Sequence, residues 1–413
     1  MQRFDRFYQK TLEERQAIIA DYLTEMETTQ WELPPEIANQ MIENYIGNYA
    51  LPFGVAPTFC VNGVSRIIPM ATEEPSVVAA ASNGGKRLGN IQARVLEREV
   101  IGQIILMDLA DWTQVSDIVA QKQAEWLEAA KQACPSMVAR GGGPRRIWYE
   151  IFEAESLMSV YLTLNPCDAM GANVMNTVLE AIAPVVAADL QGDVLMSILS
   201  NHGERALVEA SVTLAMDSLH ANAETGRLIA QKIALASRVA QVDPHRAVTH
   251  NKGIMNGVDA VLIATGNDWR AVEAGVHAHA AKSGQYRGLS TWHYDEAQAT
   301  LIGKIVLPLQ VATVGGTLSV HPTAKLALAL LQQPNARELA EIIAAVGLAQ
   351  NFAALRALVT DGIQKGHMAL QARSLALQVG ATLAEVPLLV AKLRQQPAMN
   401  RTVAEQLLAE LRN

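Results

Sequence analysis

The chain has 413 residues, half of them hydrophobic and 18% charged, which suits two or three globular domains and excludes disordered or collagen-like structure. The 41 acids against 33 bases give a net charge of −8, so no overall basic field recommends nucleic acid as a partner. Aromatic residues make up only 5%, so the core must rest on Ala, Val, Ile, Leu and the 14 Met.

The opening decapeptide MQRFDRFYQK carries charges but no apolar stretch, and so does not read as a secretory signal. Thr11 and Glu14 form a capping box before an amphipathic stripe of Ile18, Ile19, Tyr22, Leu23 and Met26. Pro34 and Pro35 start a second helix with Ile37, Met41 and Tyr45 on one face, ended by Gly47. A third begins at Pro75 and runs until Asn83-Gly84-Gly85 stops it. Residues 100–109 read as a strand, followed by a helix over 111–133, alternating strands at 147–152 and 157–164, a helix over 171–190 and a strand at 194–199. This is the β-α-β-β-α-β, or ferredoxin-like, order. An apolar strand at 206–214 and a long helix over 225–241 come next, and two more helices flank the turn Gly266-Asn267-Asp268.

The most apolar stretch, 305–320, is broken by Pro308, Gly315 and Gly316 and reads as buried core; no run reaches 18 uninterrupted apolar residues. No membrane partner is therefore expected. The tail beyond Gly366 is helical, with capping boxes at Thr382/Glu385 and Thr402/Glu405, although Pro387 sits inside the first of these helices. Cys60, Cys134 and Cys167 lack metal-ligand spacing and fit a reducing cytoplasm.

The fold class expected is α+β. A mostly helical large domain, 1–100 and 201–365, holds an inserted small domain, 101–200, and is followed by a C-terminal helical flap, 366–413. No G-x-G-x-x-G follows a strand, so a Rossmann dinucleotide site is unsupported; there is no Walker-type lysine loop and no G-x-S-x-G elbow. His277 and His279 fall two apart on a helix, and His245 and His250 lack a suitable partner, so no metal is expected.

Four stretches carry polar residues that chemistry can use. In PMATEEPS, a carboxylate stands where a helix of small residues begins; it either caps that helix or works in a site. In DAMGAN, Asp168, Ala169, Met170, Gly171, Ala172 and Asn173 mark a strand-to-helix transition whose free N–H groups suit a pyrophosphate, or simply a capped turn. In RAVTHNKGIMN, Lys252 lies among apolar and amide residues, placed either to meet a developing oxyanion or to snorkel. In GHMAL, His367 begins a terminal helix.

Taken in order, PMATEEPSVVAAAS, DAMGANVMN, RAVTHNKGIMNG with ATGNDWRAVEAG, and GHMALQARSLA resemble the soluble, bacterial (class II) 3-hydroxy-3-methylglutaryl-CoA reductases. ENYIGNYALPFGVAP, 43–57, resembles the family's substrate-side segment. The resemblance implies interconversion of the CoA thioester with mevalonate plus free CoA, a four-electron change through mevaldehyde that uses two nicotinamide cofactors. It places Lys252 at the oxyanion, Glu74 as proton donor, Asp268 as the carboxylate tuning both, and His367 as the proton donor to the CoA thiolate. Ser76, Arg246 and Asn256 would hold the substrate, and residues 168–173 the dinucleotide.

The family forms homodimers with the active site at the subunit interface. Arg145 and Arg146, after a triple glycine, stand where relatives that use NAD tend to show an acid; they either attract a 2′-phosphate and favour NADPH over NADH, or form a solvated basic edge. Tyr8 stands where some relatives have Arg, so the contact to the CoA adenosine phosphate is left open. The competing reading is a CoA or acyl-CoA binding protein without catalysis, which would have no use for Lys252, Glu74, Asp268 and His367 together.

Overall fold

Thr11 and Glu14 close the expected reciprocal capping box at the start of α1 (Leu12–Ala20), with Glu14 Oε2 accepting from Thr11 N at 2.8 Å. The computed structural model describes residues 4–23, 32–360, 362 and 372–412. Met26 of the expected stripe lies outside them. The second helix, α2 (Pro35–Met41), starts on the proline pair but ends before Tyr45, because Ile42 is extended and Asn44 turns the chain at a φ of 54°.

The large part of the chain is built on a six-stranded sheet, where the sequence reading had one strand. Its order is β2-β1-β3-β8-β10-β9. The strands are β1 (Phe53–Val61), β2 (Val64–Ala71), β3 (Asn90–Val95), β8 (Leu207–Ala215), β9 (Ser290–Asp295) and β10 (Thr300–Pro308). The prolines in two of them explain the miss. Pro57 sits in a register shift of β1 between Ala56 and Phe59, and Pro69 lies on β2, an edge strand. The turn between them is Asn62-Gly63, both at positive φ, the pair best suited to a two-residue hairpin.

The third helix corrects a second expectation. α3 (Val77–Leu88) runs straight through Asn83-Gly84-Gly85. The glycines are there for approach, since a Cβ on Gly84 would stand 2.2 Å from the carbonyl oxygen of Ala349, and one on Gly85 2.8 Å from the Phe59 ring. Ala349 belongs to α10 (Ala336–Val359), which crosses α3 and fills the core with Leu339, Ile343, Val346 and Phe352. Tertiary packing has overridden a helix-breaking pair.

Between β3 and β8 the chain forms a second sheet with its own core. β4 (Val100–Met107), β5 (Gly143–Phe152), β6 (Leu157–Asn165) and β7 (Asp193–Ser200) lie in the order β5-β6-β4-β7, and all neighbours are antiparallel. Helices α4 (Val115–Gln132) and α5 (Ala172–Leu190) pack on it through Trp126, Met175, Leu179 and Ile182. Trp126 is fully buried and donates from Nε1 to Asp189 at 2.8 Å, so the indole N–H is not left unpaired. The two stretches that join the sheets run together: Glu99 N donates to Arg205 O at 2.7 Å, and Glu97 pairs with Arg205 at 3.2 Å.

Beyond β8 lie α6 (Ala223–Val242), α7 (Pro244–Ala264), α8 (Trp269–Ala281) and α9 (Pro322–Leu330). α5 and α10 are long and apolar enough to cross a membrane by length and composition, and both line hydrophobic cores. At the C-terminus, α11 (Val386–Leu393) and α12 (Arg401–Arg412) form a separate cluster with Ala372 and Ala376. Pro387 stands in the first turn of α11, so that helix starts later than Thr382/Glu385 suggested. Asn400, not Thr402, caps α12.

Candidate active site

The turn after β2 and the face of α7 meet. Glu74 sits in the turn, its N–H held by Thr72 Oγ1 at 3.2 Å. Lys252 and Asn256 lie one helical turn apart on α7 and therefore share a face. Lys252 Nζ donates to Glu74 Oε2 at 2.5 Å, and Asn256 Nδ2 to Glu74 Oε1 at 3.2 Å. Both carboxylate oxygens are thus held by groups that the sequence singled out separately. The Lys252 side chain is 60% exposed, and an ion pair that open contributes only about 0–1 kcal/mol to stability. Stability is a poor reason for this pair.

Ser76, two residues on, precedes α3 at φ 75° with no side-chain capping bond. A non-glycine residue in the left-handed region costs of order 1 kcal/mol or more, and such strain collects at ligand clamps. Arg246, in the first turn of α7, is partly buried, and burial pulls its pKa below the usual guanidinium value. Among the described residues it has no hydrogen-bond partner, which leaves its planar fork available to a carboxylate. His250 anchors the same helix from behind. Its Nε2 lies 2.7 Å from Ser290 Oγ and 3.1 Å from Asn351 Nδ2, and burial, then Arg246, pulls its pKa down to about 4.

Asp268 is the N-cap of α8 and accepts from Ala271 N at 3.1 Å, with Arg270 3.8 Å away. Its neighbour Asn267 clasps the backbone of Ala312 at two points, accepting from the N–H at 2.7 Å and donating to the carbonyl at 3.2 Å. His367 lies outside the described residues. No group of three His, Cys, Asp or Glu able to hold a metal occurs among the described residues; His277 instead bonds Tyr286 and Glu273.

Residues 168–173 form the loop from β6 into α5. Gly171 is the N-cap at φ 102°, without a side-chain cap, and no acid stands in the first turn, so the first N–H groups of a 19-residue helix meet no carboxylate there. Asp168 itself turns toward the large sheet's helices, where its Oδ1 accepts from Ala336 N at 3.0 Å and its carbonyl from Thr313 N at 3.0 Å. Met170 packs with Ala312, Leu318 and Ala324. Arg145 and Arg146 border an open pocket with Gln123, Leu127 and Ile147. A register shift in β5 between Pro144 and Arg146 places Arg145 in a bulge, a device that re-aims side chains.

Two residues to which the sequence reading gave no role hold these parts together. Arg98, only 7% exposed, donates to Cys167 O and Val311 O at 2.8 Å each and to Ala169 O at 3.2 Å. Asn267 was noticed only as part of a turn. In the sequence Arg98 is one of three consecutive charged residues, Glu97-Arg98-Glu99, and nothing marks it out.

A family model described as hydroxymethylglutaryl-coenzyme A reductase matches residues 11–372. The chain belongs to this family. It is 39% identical over 421 residues to the 3-hydroxy-3-methylglutaryl-coenzyme A reductase of Archaeoglobus fulgidus, covering 100% of this chain and 95% of that one. A probable reductase of the same name from Borreliella burgdorferi is 38% identical over 332 residues, 80% of this chain and 76% of the other. Among solved structures, the reductase of Streptococcus pneumoniae superposes with a TM-score of 0.85 at 46% identity, covering 99% of both chains. A second structure from that organism, described as a class II reductase bound to NADPH in open conformations, gives 0.83 at 46% identity and covers 98% of this chain and 100% of that one.

Proposed function

We propose that the protein interconverts 3-hydroxy-3-methylglutaryl-CoA and mevalonate plus CoA, and that NADPH is its reductant. The observation that carries the reading is the Glu74–Lys252–Asn256 cluster, assembled from two distant segments in a chain that is similar to named reductases over its whole length. In the reducing direction, one thioester, two NADPH and two protons become mevalonate, CoA and two NADP⁺. NADPH supplies a hydride in each of two steps.

The chain's residues do the rest. Lys252 sits where a positive charge can meet the oxygen that turns from carbonyl toward alkoxide. Glu74, in direct contact with it, supplies the proton that completes the alcohol. Asp268, at the start of the next helix, bonded to Ala271 N and paired with Arg270, is assigned the tuning of that network by the family likeness. When the carbon–sulfur bond of the hemithioacetal breaks, His367 protonates the leaving thiolate, the step an imidazolium serves near neutral pH. Arg246 takes the substrate carboxylate, with Ser76 and Asn256 on its oxygens.

The residues around α5 fit a dinucleotide. The uncapped N-terminus of α5 suits the pyrophosphate, with Gly171, Ala172 and Asn173 offering their N–H groups, while Asp168, Ala169 and Met170 anchor the loop that carries them. Arg145 and Arg146 suit a 2′-phosphate, which selects NADPH over NADH. We assign residues 101–200 to a small ferredoxin-like cofactor domain, which the strand order and separate core support. Residues 1–100 and 201–365 form the large substrate domain, and 366–413 a flap with its own small core. The working form is a homodimer in the cytoplasm with the site at the subunit interface; the exposure of Lys252 and Glu74 leaves room for a second subunit over them.

Mixing the protein with 3-hydroxy-3-methylglutaryl-CoA and NADPH and following the reduced-nicotinamide absorbance tests this. Oxidation that depends on the thioester supports it. Tight thioester binding without oxidation would favour a non-catalytic CoA-binding protein.

A further inference from the structure

The loop 167–169 and the turn 267–268 are joined through a strip of three residues, Val311 to Thr313, that belongs to neither. On one side, Asn267 clasps both polar groups of the Ala312 backbone. On the other, Arg98 donates to Val311 O and, from the same guanidinium, to Cys167 O and Ala169 O. Thr313 N closes the strip onto Asp168 O at 3.0 Å. Every link from Asp268 to the α5 loop is a peptide bond or a hydrogen bond of 3.2 Å or less.

Arg98 is an unusual choice for mere support. Taking a guanidinium out of water is costly, and it is normally offset by a carboxylate. Here the Asp168 carboxylate is near enough to favour the charge, but the described hydrogen bonds all go to main-chain carbonyls, from two different segments of the fold. A rigid planar fork fixes the direction of each bond, which a lysine, with a flexible stem and a point charge, cannot do. Asn267 likewise uses donor and acceptor on one residue, bonding the N–H and the carbonyl of Ala312 in two successive peptide units, which fixes the local chain direction as well as its distance.

We propose that Arg98 and Asn267 are positioning residues, clamping residues 311–313 so that the dinucleotide loop and the turn bearing Asp268 keep a fixed separation. This rests on the reading above that residues 168–173 hold the dinucleotide. Neither residue touches substrate. They act by holding two reacting partners in register, where a displacement of about 1 Å costs up to about 100-fold in rate.

The test uses the full-length Arg98→Lys and Asn267→Ala variants. Turnover is measured with the thioester and NADPH, and again with NADPH deuterated at the nicotinamide C4. A positioning role predicts that kcat falls about 10- to 100-fold, KM for both substrates stays within about twofold, and the isotope effect holds or rises. The inference is overturned if kcat is unchanged, if the loss lies in KM, or if the isotope effect falls toward one. Should Arg98→Lys fail to fold, Asn267→Ala, which leaves the buried guanidinium in place, carries the same readout. An inactive wild-type protein would sink the proposed reaction instead, so the two failures are told apart.

Discussion

Gly84→Ala should destabilise the protein, against the usual direction for a glycine inside a helix. At an open helical site that change gains about 1 kcal/mol, because alanine loses less conformational freedom on folding. At Gly84 the added Cβ would stand 2.2 Å from Ala349 O and 2.8 Å from its carbonyl carbon. That is about 1 Å inside ordinary contact, and both sides are helix backbone, so no side chain can swing away. α3 would have to move off α10, opening a densely filled core at a cost of about 1–3 kcal/mol or more. The net expectation is a loss of up to about 2 kcal/mol, read as a melting temperature about 1–2 °C lower by circular dichroism. Gly253→Ala on α7, with nothing within 4 Å of the new Cβ, is the control and should hold or raise stability. If Gly84→Ala melts at or above the wild-type temperature, the close crossing of α3 and α10 is wrong.

Lys252→Ala and Glu74→Gln should each leave a folded protein with turnover down by about two to four powers of ten, and near-normal rates in either would remove that residue from the mechanism. Converting both Arg145 and Arg146 to Ala should raise KM for NADPH at least tenfold while leaving that for NADH nearly unchanged; equal effects on both would refute 2′-phosphate recognition. His250 is held neutral in the fold, its pKa about 4 against the ordinary 6.5. Its contribution is therefore complete above pH 6.5 and is lost as pH falls toward 4, by about 3 kcal/mol in all. Urea melts of wild type and His250→Gln across that range should converge at the acid end; parallel profiles would mean that His250 titrates normally.

The sheet between residues 100 and 200 was legible because β4 and β6 carry buried apolar residues and each helix one apolar stripe, although the apolar residues of β7 are exposed. The large sheet was harder to see. β1 and β2 contain Pro57 and Pro69, and only the fold reveals that one lies at a register shift and the other on an edge. Gly84 and Gly85 read as a stop because the helix they meet, α10, is more than 250 residues away in the chain. In the site, no spacing rule could bring Glu74 to Lys252 across 178 residues; the family resemblance singled out both residues, and the geometry supplied the contact. Arg98 stayed hidden because its partners are main-chain carbonyls, which no side-chain pattern records.

The most direct test of the account is stoichiometry. Purified protein is given a limiting amount of 3-hydroxy-3-methylglutaryl-CoA with excess NADPH, and the NADPH consumed is compared with the free thiol released and the mevalonate formed. Two NADPH per thiol and per mevalonate is the predicted result. One NADPH per thiol with aldehyde accumulating, or thiol release without NADPH oxidation, would contradict a four-electron reduction completed at a single site.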